Sequence, residues 1–412
     1  MAKFGQRKYV GRPSFRPSFE VAIAACALVG ANLALGEMSH EDYMNKFGKS
    51  YSEAEIGQRR ATYMQRLAII ERQNEDSSRL WTAGVNEYTD WYDHELSMLA
   101  GYRRQAGGDG SSGFGVGAVS LVAMGDGEGE PTASDDIGTL PDRLDWREHY
   151  PTVISPVKSQ GSCGSCWAFT AVEELESFAA MASGRLMELS PQSINSCSPN
   201  PLECGGSGGC MGSTPQLGWN WTMTNGVPSI WAVPYTSGLM ATTGNCSIDM
   251  VYQSEVRNLG FVTIPVNQKA QMMRALVEVG PLGVIVASGS WWQYMSGIFD
   301  ACNASENVLV DHAVQLVGYG QEQETKYWLV RNSWGAKFGE NGYIRLKRYN
   351  EEPCGWDYSP QSGSGCNGGP AKVWVCGECG ILYEPSYPTG VHFIGEARRL
   401  EAQDETSGSI HV

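Results

Sequence analysis

The chain has 412 residues, enough for two or three domains and a sizeable buried core. Hydrophobic residues make up 42% and charged residues 18%, which describes a globular chain rather than a disordered one. A formal net charge of -15 argues against nucleic acid or an anionic membrane as main partner, because both would repel it.

Residues 1–36 begin with Lys3, Arg7, Lys8, Arg12 and Arg16, followed by the small apolar run "VAIAACALVGANLAL" and Gly36. A basic region, a short apolar stretch and a small residue predict a secretory signal peptide, with a retained signal anchor or an organelle presequence as alternatives. The run is short for a membrane span. Entry into an oxidising compartment follows, where the eleven cysteines after Cys26 would tend to pair and leave one over.

Residues 37–100 are polar and helix-like, with Tyr63, Leu67 and Ile70 forming an amphipathic stripe. Residues 101–138 turn to Gly, Ser and acid, the composition of a flexible linker open to proteases. A dense, Trp-rich segment at 139–390 is the catalytic candidate, and 391–412 has little to bury and is expected to be a mobile tail. Within the dense segment, Ala168 to Ala182 predict a helix with Ala168, Ala171, Val172, Leu175, Phe178 and Ala179 on one face, Glu173, Glu174 and Glu176 largely elsewhere, and Gly184 as stop. The stretches "PLGVIVAS", "HAVQLVGYG", "KYWLVRNSW" and "GYIRLKRY" predict strands separated by Gly turns. A helical half therefore precedes a β half, an α+β arrangement with a cleft between.

The decisive stretch is "QGSCGSCWAF", residues 160–169. Acyl chemistry needs a thiolate, and the first turn of a helix lowers a thiol's pKa. Cys166 stands at the helix start, whereas Cys163 lies in the Gly-bounded loop before it, so Cys166 is the favoured nucleophile and Cys163 is free to cross-link. A thioredoxin-like redox pair is the alternative, but no βαβ pattern surrounds it.

This stretch, Cys163, Gly164, Ser165, Cys166 and Trp167, resembles the active-site segment of papain-like cysteine peptidases of the cathepsin L and papain group, whose signature is a known one. The resemblance extends to "VDHAVQLVGYG" around His312 and "YWLVRNSWG" around Asn332, which lie 146 and 166 residues after Cys166. It implies a papain-like two-domain fold, a helical half and a β-barrel-like half behind a helical prodomain, and a cysteine endopeptidase made as a zymogen. His312 would act as acid and base toward Cys166, Asn332 would orient the imidazole, Trp334 would shield that bond, and Trp167 would support the nucleophile. Gln160 and the backbone N–H of Cys166 would hold the oxyanion.

Substrate-binding positions implied by the same resemblance are Gly164, Gly212, Ser213, Pro215, Ile285, Asp311, Ala313 and Glu384. Glu384 would floor an S2 pocket open to basic as well as apolar side chains; a solvated surface Glu is the plainer reading. Ser213 replaces a glycine usual in the family, and Phe338 replaces a second Trp, implying an altered wall on the leaving-group side. No cofactor and no catalytic metal are implied. Expected partners are protein and peptide substrates, the chain's own prodomain as inhibitor and cystatin-like inhibitors, without nucleic acid, acting as a monomer. The location is the secretory pathway, ending in lysosome, vacuole or outside the cell. A catalytically inactive binding or inhibitor homologue is the competing class, and a thiol-disulfide oxidoreductase the third.

The prodomain pattern of the family is matched by Glu55, Arg59, Ile70 and Asn74, with Tyr63 for Phe and Arg66 for Asn. "GVNEYTD" matches a second element through Gly84, Asn86 and Asp90, with Tyr88 for Phe. Acid is expected to weaken prodomain ion pairs and start processing. The family's disulfides map onto Cys163 with Cys210, Cys197 with Cys246, and Cys302 with Cys379. Cys204, Cys354, Cys366 and Cys376 remain, open to three pairings. Three of these lie in a Cys-rich insertion, 351–376, where a zinc site with Cys379 is the alternative to disulfides. Asn220, Asn245 and Asn303 head glycosylation sequons.

Overall fold

The computed structural model describes residues 38–101 and 140–395. The signal segment, nearly all of the linker, and residues 396–412 of the tail lie outside the described residues. Among the described residues no helix is long and apolar enough to cross a membrane. The chain divides into two compact units, with the boundary in the sequence between Ile56 and Gly57. In the first, His40–Phe47 is a short helix capped by Ser39, whose side chain accepts the N–H of Asp42 at 3.1 Å, and stopped by Gly48 in the left-handed region.

The second unit contains the remainder. Its helical half is built on Cys166–Ser183, whose alanines and Leu175 allow close packing on the first part of the strand His312–Glu322. Gly184 ends that helix at φ 73°, its N–H donating to the carbonyl of Ala180 at 2.8 Å. Trp219, from the helix Pro215–Asn225, donates its indole N–H to the carbonyl of Ala171 at 3.1 Å and locks the second helix to the first. The helix is buried all round, so Glu173, Glu174 and Glu176 are inside rather than on the solvent face expected for them. Charge pairing allows this for two of them: Glu176 meets Lys158 at 2.7 Å and accepts the N–H of Leu189, and Glu173 meets Arg331 at 3.4 Å. Burial raises the pKa of Glu174 well above the usual carboxylate range, with the neighbouring Glu173 adding to the effect.

The β half is a nine-stranded sheet. Its path runs Trp81–Ala83, Tyr294–Phe299, Tyr343–Arg348, Thr325–Arg331, His312–Glu322, Leu282–Val286, Ser386–Thr389, Gly260–Thr263, with Leu144–Asp145 paired to His312–Glu322. The four strands predicted from apolar, β-branched runs are all present. The first member, Trp81–Ala83, belongs to the segment preceding the linker and pairs antiparallel with Tyr294–Phe299. The chain's end also differs from expectation. His392–Phe393 pairs with Ser254–Arg257, burying Phe393, so the fold continues past residue 390.

Five disulfides are present: Cys163–Cys210, Cys197–Cys246, Cys302–Cys379, Cys204–Cys366 and Cys354–Cys376. The first three are the pairs implied by resemblance, and the last two select one of the three open pairings. The zinc alternative in the insertion is thereby overturned, because all four of its sulfurs are consumed in disulfides. Phe338 is buried edge-on against Trp334, ring centroids 5.1 Å apart.

Candidate active site

Cys166 is the first residue of its helix, where unpaired backbone N–H groups favour a thiolate. It is the free cysteine among the described residues, and Cys163 is bonded elsewhere, which removes the redox-pair alternative. The sulfur accepts the backbone N–H of Ala313 at 3.3 Å, so the residue following His312 touches the thiol. His312 opens its strand, and Asn332 follows directly on the antiparallel neighbour Thr325–Arg331, so the sheet brings both to one end.

The imidazole Nε2 of His312 lies 2.8 Å from Oδ1 of Asn332. An amide oxygen only accepts, so Nε2 carries the hydrogen and Nδ1 keeps its lone pair. That Nδ1 is buried with no hydrogen-bond partner among the described residues. Oδ1 of Asn332 also accepts the N–H of Ser333 at 2.8 Å, which fixes the amide's orientation. Trp334 lies across the imidazole at 5.0 Å between centroids, and Trp291 meets it edge-on at 6.1 Å. Both rings keep water from the His312–Asn332 bond.

Gln160 is fully buried, its Oε1 accepting from the Ser333 hydroxyl at 2.7 Å. Its Nε2 donates to the carbonyls of Cys163 at 3.0 Å and Leu99 at 3.1 Å. The Nε1–H of Trp334 reaches the same Leu99 carbonyl at 3.3 Å. Two residues on, Gly101 presents its backbone N–H to the Cys166 sulfur. A methyl group at Gly101 would overlap that sulfur, and one at Gly212 would overlap the carbonyl oxygens of Gly101 and Gly205. Residues 99–101 thus lie in the cleft as a bound peptide would. Gly101, assigned by composition to the start of the linker, belongs with the segment that covers the thiol.

That cover sets the electrostatics. Burial pushes the Cys166 thiol up to about 12, against the hydrogen bonds it accepts, and burial pushes His312 down to about 4. Both groups are neutral here. Asp311, beside His312, is raised to about 7 by burial although the N–H and hydroxyl of Ser288 bond to it.

The covering segment is held by residues the sequence pattern singles out. Arg59 makes hydrogen bonds with Glu95, one at 2.7 Å, and lies over the Tyr92 ring at 4.0 Å. Arg66, an unexplained departure in the sequence, donates to Asp93 at 2.8 Å and to the Trp91 carbonyl at 3.0 Å, and stacks over Trp292 at 4.3 Å. Asn74 exchanges two bonds with Ala83, while the hydroxyl of Tyr88 donates to the Trp334 carbonyl at 3.1 Å.

Of the other sequence-derived positions, Trp167 is buried with its indole N–H on the Gly209 carbonyl at 3.1 Å, a packing role. Gly164 donates its N–H to the Cys210 carbonyl. Ile285 and Ala313 are buried opposite one another on paired strands, Pro215 opens its helix, and the buried Ser213 hydroxyl has no hydrogen-bond partner among the described residues. Glu384 is partly buried and raised to about 7 by desolvation. Tyr235 was missed by sequence reasoning: its hydroxyl donates to the Gln160 carbonyl at 2.8 Å and meets the Ser165 hydroxyl at 2.7 Å. A lone Tyr in a Pro-flanked turn carries no signal of that contact.

Comparison with known proteins gives a consistent result. Residues 140–364 match a family model described as papain family cysteine protease, and residues 40–96 match one described as the cathepsin propeptide inhibitor domain. Oryzain beta chain of Oryza sativa subsp. japonica is 34% identical over 264 residues, 63% of this chain and 49% of the relative, so the match spans about half of that protein. Fruit bromelain of Ananas comosus is 30% identical over 356 residues, 85% of each chain. Among solved structures, a recombinant stem bromelain precursor aligns with a TM-score of 0.63 at 28% identity, covering 85% of this chain and 97% of that one.

Proposed function

The chain belongs to the papain family of cysteine proteases and carries a cathepsin-type propeptide inhibitor domain; on that premise we propose that it is a zymogen of a cysteine endopeptidase acting through Cys166 and His312. When residues 99–101 leave the cleft, water and substrate reach both groups and the cost of charging them falls. The thiol proton passes to Nδ1 of His312, whose other nitrogen is already committed to Asn332. The sulfur attacks the substrate carbonyl, and the oxyanion takes the bond from Gln160 Nε2 that Leu99 now receives. His312 returns the proton to the leaving amine, and a thioester remains on Cys166. Water, deprotonated by His312, then releases the acid.

The observation that carries this reading is the placing of peptide backbone between Gln160 and the Cys166 sulfur. Glu384, with Pro215, Ile285 and Ala313, supports an S2 pocket that takes apolar and basic side chains. Five disulfides fit maturation along the secretory pathway, and we assign the enzyme to a lysosome-like or extracellular destination, acting as a monomer open to cystatin-like inhibitors. The test is alkylation by an epoxide active-site probe. Matured enzyme should be labelled rapidly at Cys166, proenzyme slowly, and neither Cys166→Ala nor His312→Ala should react rapidly. Rapid labelling that survives His312→Ala would refute the reading.

A further inference from the structure

The Cys-rich insertion has no part in the chemistry above, yet it reaches across the molecule. Its strands Cys354–Asp357 and Val373–Cys376 pair antiparallel and are closed at the base by Cys354–Cys376. The tip, 358–372, leaves the β half and bonds to a loop of the helical half through Cys204–Cys366. Backbone bonds reinforce the join: Gly205 N–H to the Gly365 carbonyl at 3.1 Å, and Asn367 N–H to the Leu202 carbonyl at 2.8 Å. On the opposite side the tip is anchored by the N–H of Ser364 on the carbonyl of Val310, two residues before His312.

The position of this strap follows from a chain of contacts. Gly101 covers the sulfur, and the carbonyl oxygens of Gly101 and of Gly205, the residue after Cys204, crowd the same face of Gly212. The residue bonded to Cys204 therefore lies directly beside the peptide occupying the cleft. Gly212 and Ser213 lead directly into Pro215, a wall of the S2 pocket proposed above and so on the acyl side of the scissile bond, and the strap stands beside them. A covalent bridge between the two walls permits no opening there, and a substrate chain has either to stop short of it or to thread beneath it.

We propose that the Cys204–Cys366 strap closes the acyl end of the cleft, so that the mature enzyme favours bonds a few residues from an amino terminus over bonds deep in a chain or in loops of folded proteins. This rests on the cysteine-protease reading of Cys166 and narrows its substrate class. The test uses enzyme matured from the full proenzyme, its active concentration fixed by titration of Cys166. Two peptide series share one core sequence. One is lengthened on the amino side of the scissile bond, the other on the carboxyl side. Amino-side lengthening should lower kcat/KM by at least about tenfold while carboxyl-side lengthening leaves it level, and Cys204→Ser with Cys366→Ser should remove the drop. Equal rates along the amino-side series, or a drop that persists in the double variant, would overturn the proposal. Should the double variant not mature, the two series on the native enzyme still decide it. Failure of Cys166 to titrate would strike the catalytic reading instead, so the two claims fail separately.

Discussion

The carbonyl oxygen of Leu99 accepts the side-chain N–H of Gln160 at 3.1 Å, so the donor proposed to stabilise an oxyanion is engaged by the protein's own chain. Gln160 does not choose its orientation freely, because Ser333 holds the other end of its amide. The donor is therefore aimed before any substrate arrives, which is the condition for transition-state stabilisation without reorganisation. Gln160→Ala in the matured enzyme should lower kcat on the order of 10²- to 10³-fold with little change in KM. A loss confined to KM, read from steady-state kinetics, would assign Gln160 to ground-state binding instead.

Gly101 is the point where cover and nucleophile touch. Any side chain there meets the Cys166 sulfur, which is fixed at the head of a buried helix and has nowhere to move. Overpacking of this kind costs about 1–3 kcal/mol. Gly101→Ala should therefore lift the segment from the thiol and raise the alkylation rate of proenzyme at least about tenfold. An unchanged rate, with the far-UV spectrum and the melting temperature also unchanged, would mean that Gly101 does not shield the sulfur.

The two reacting groups titrate apart in the closed form. With Cys166 at about 12, the thiol dominates at every pH below that; with His312 at about 4, the imidazole is neutral above it. No thiolate–imidazolium pair forms in between. Proenzyme alkylation should stay slow and nearly level from about pH 7 to about pH 9, while matured enzyme is fast across the range in which its ion pair exists. The linkage sign for His312 is also fixed. A depressed pKa means the opened form binds a proton that the closed form does not, so the contribution of His312 to closure is lost as pH falls from its usual range near 6.5 toward 4. Glu95 acts lower: burial raises its pKa, but the bonds from Arg59 and the Tyr92 N–H outweigh this and leave it below the usual carboxylate value. The Arg59–Glu95 pair therefore survives mild acid, and His312 is the better acid trigger than the prodomain ion pairs expected to serve. A steep rise of proenzyme alkylation above about pH 8 would contradict the neutral pair.

How much of this could be read from residues alone depends on the range of the interaction. Cys166, His312 and Asn332 each sit in a local motif, and the strand pattern around His312 and Asn332 is strong enough to place both at one sheet end. Local pattern also gave the helix from Cys166 and its stop at Gly184. Arg66 was opaque because its partners, Asp93 and Trp292, lie 27 and 226 residues away. Glu173, Glu174 and Glu176 misled because a carboxylate is normally a sign of solvent; only the distant Lys158 and Arg331 make the burial of Glu176 and Glu173 tolerable, and burial raises the pKa of Glu174 well above the usual range. Disulfide connectivity beyond the family's three pairs is likewise a property of two separate excursions, one ending at Cys204 and one at Cys366, whose meeting no periodicity encodes.

Glu384 offers the sharpest test of specificity. Its carboxyl group has no hydrogen bond or ion pair among the described residues, and desolvation alone raises it to about 7. A raised carboxylate is neutral below that value and charged above it. Arg at P2 should therefore be preferred increasingly as pH rises through about 7, and the preference should fade in acid, whereas Phe at P2 is indifferent to the charge. Pairing a guanidinium with a partly buried carboxylate contributes about 1.5–3 kcal/mol, or about 10- to 100-fold in kcat/KM. The measurement is the ratio of kcat/KM for Arg-Arg and Phe-Arg fluorogenic dipeptides across that pH range. Glu384→Gln should flatten the ratio and lower the Arg-Arg rate selectively, since the amide keeps the shape of the side chain and removes only the charge. Equal loss of both substrates, or a ratio that ignores pH in the native enzyme, would place Glu384 outside the pocket.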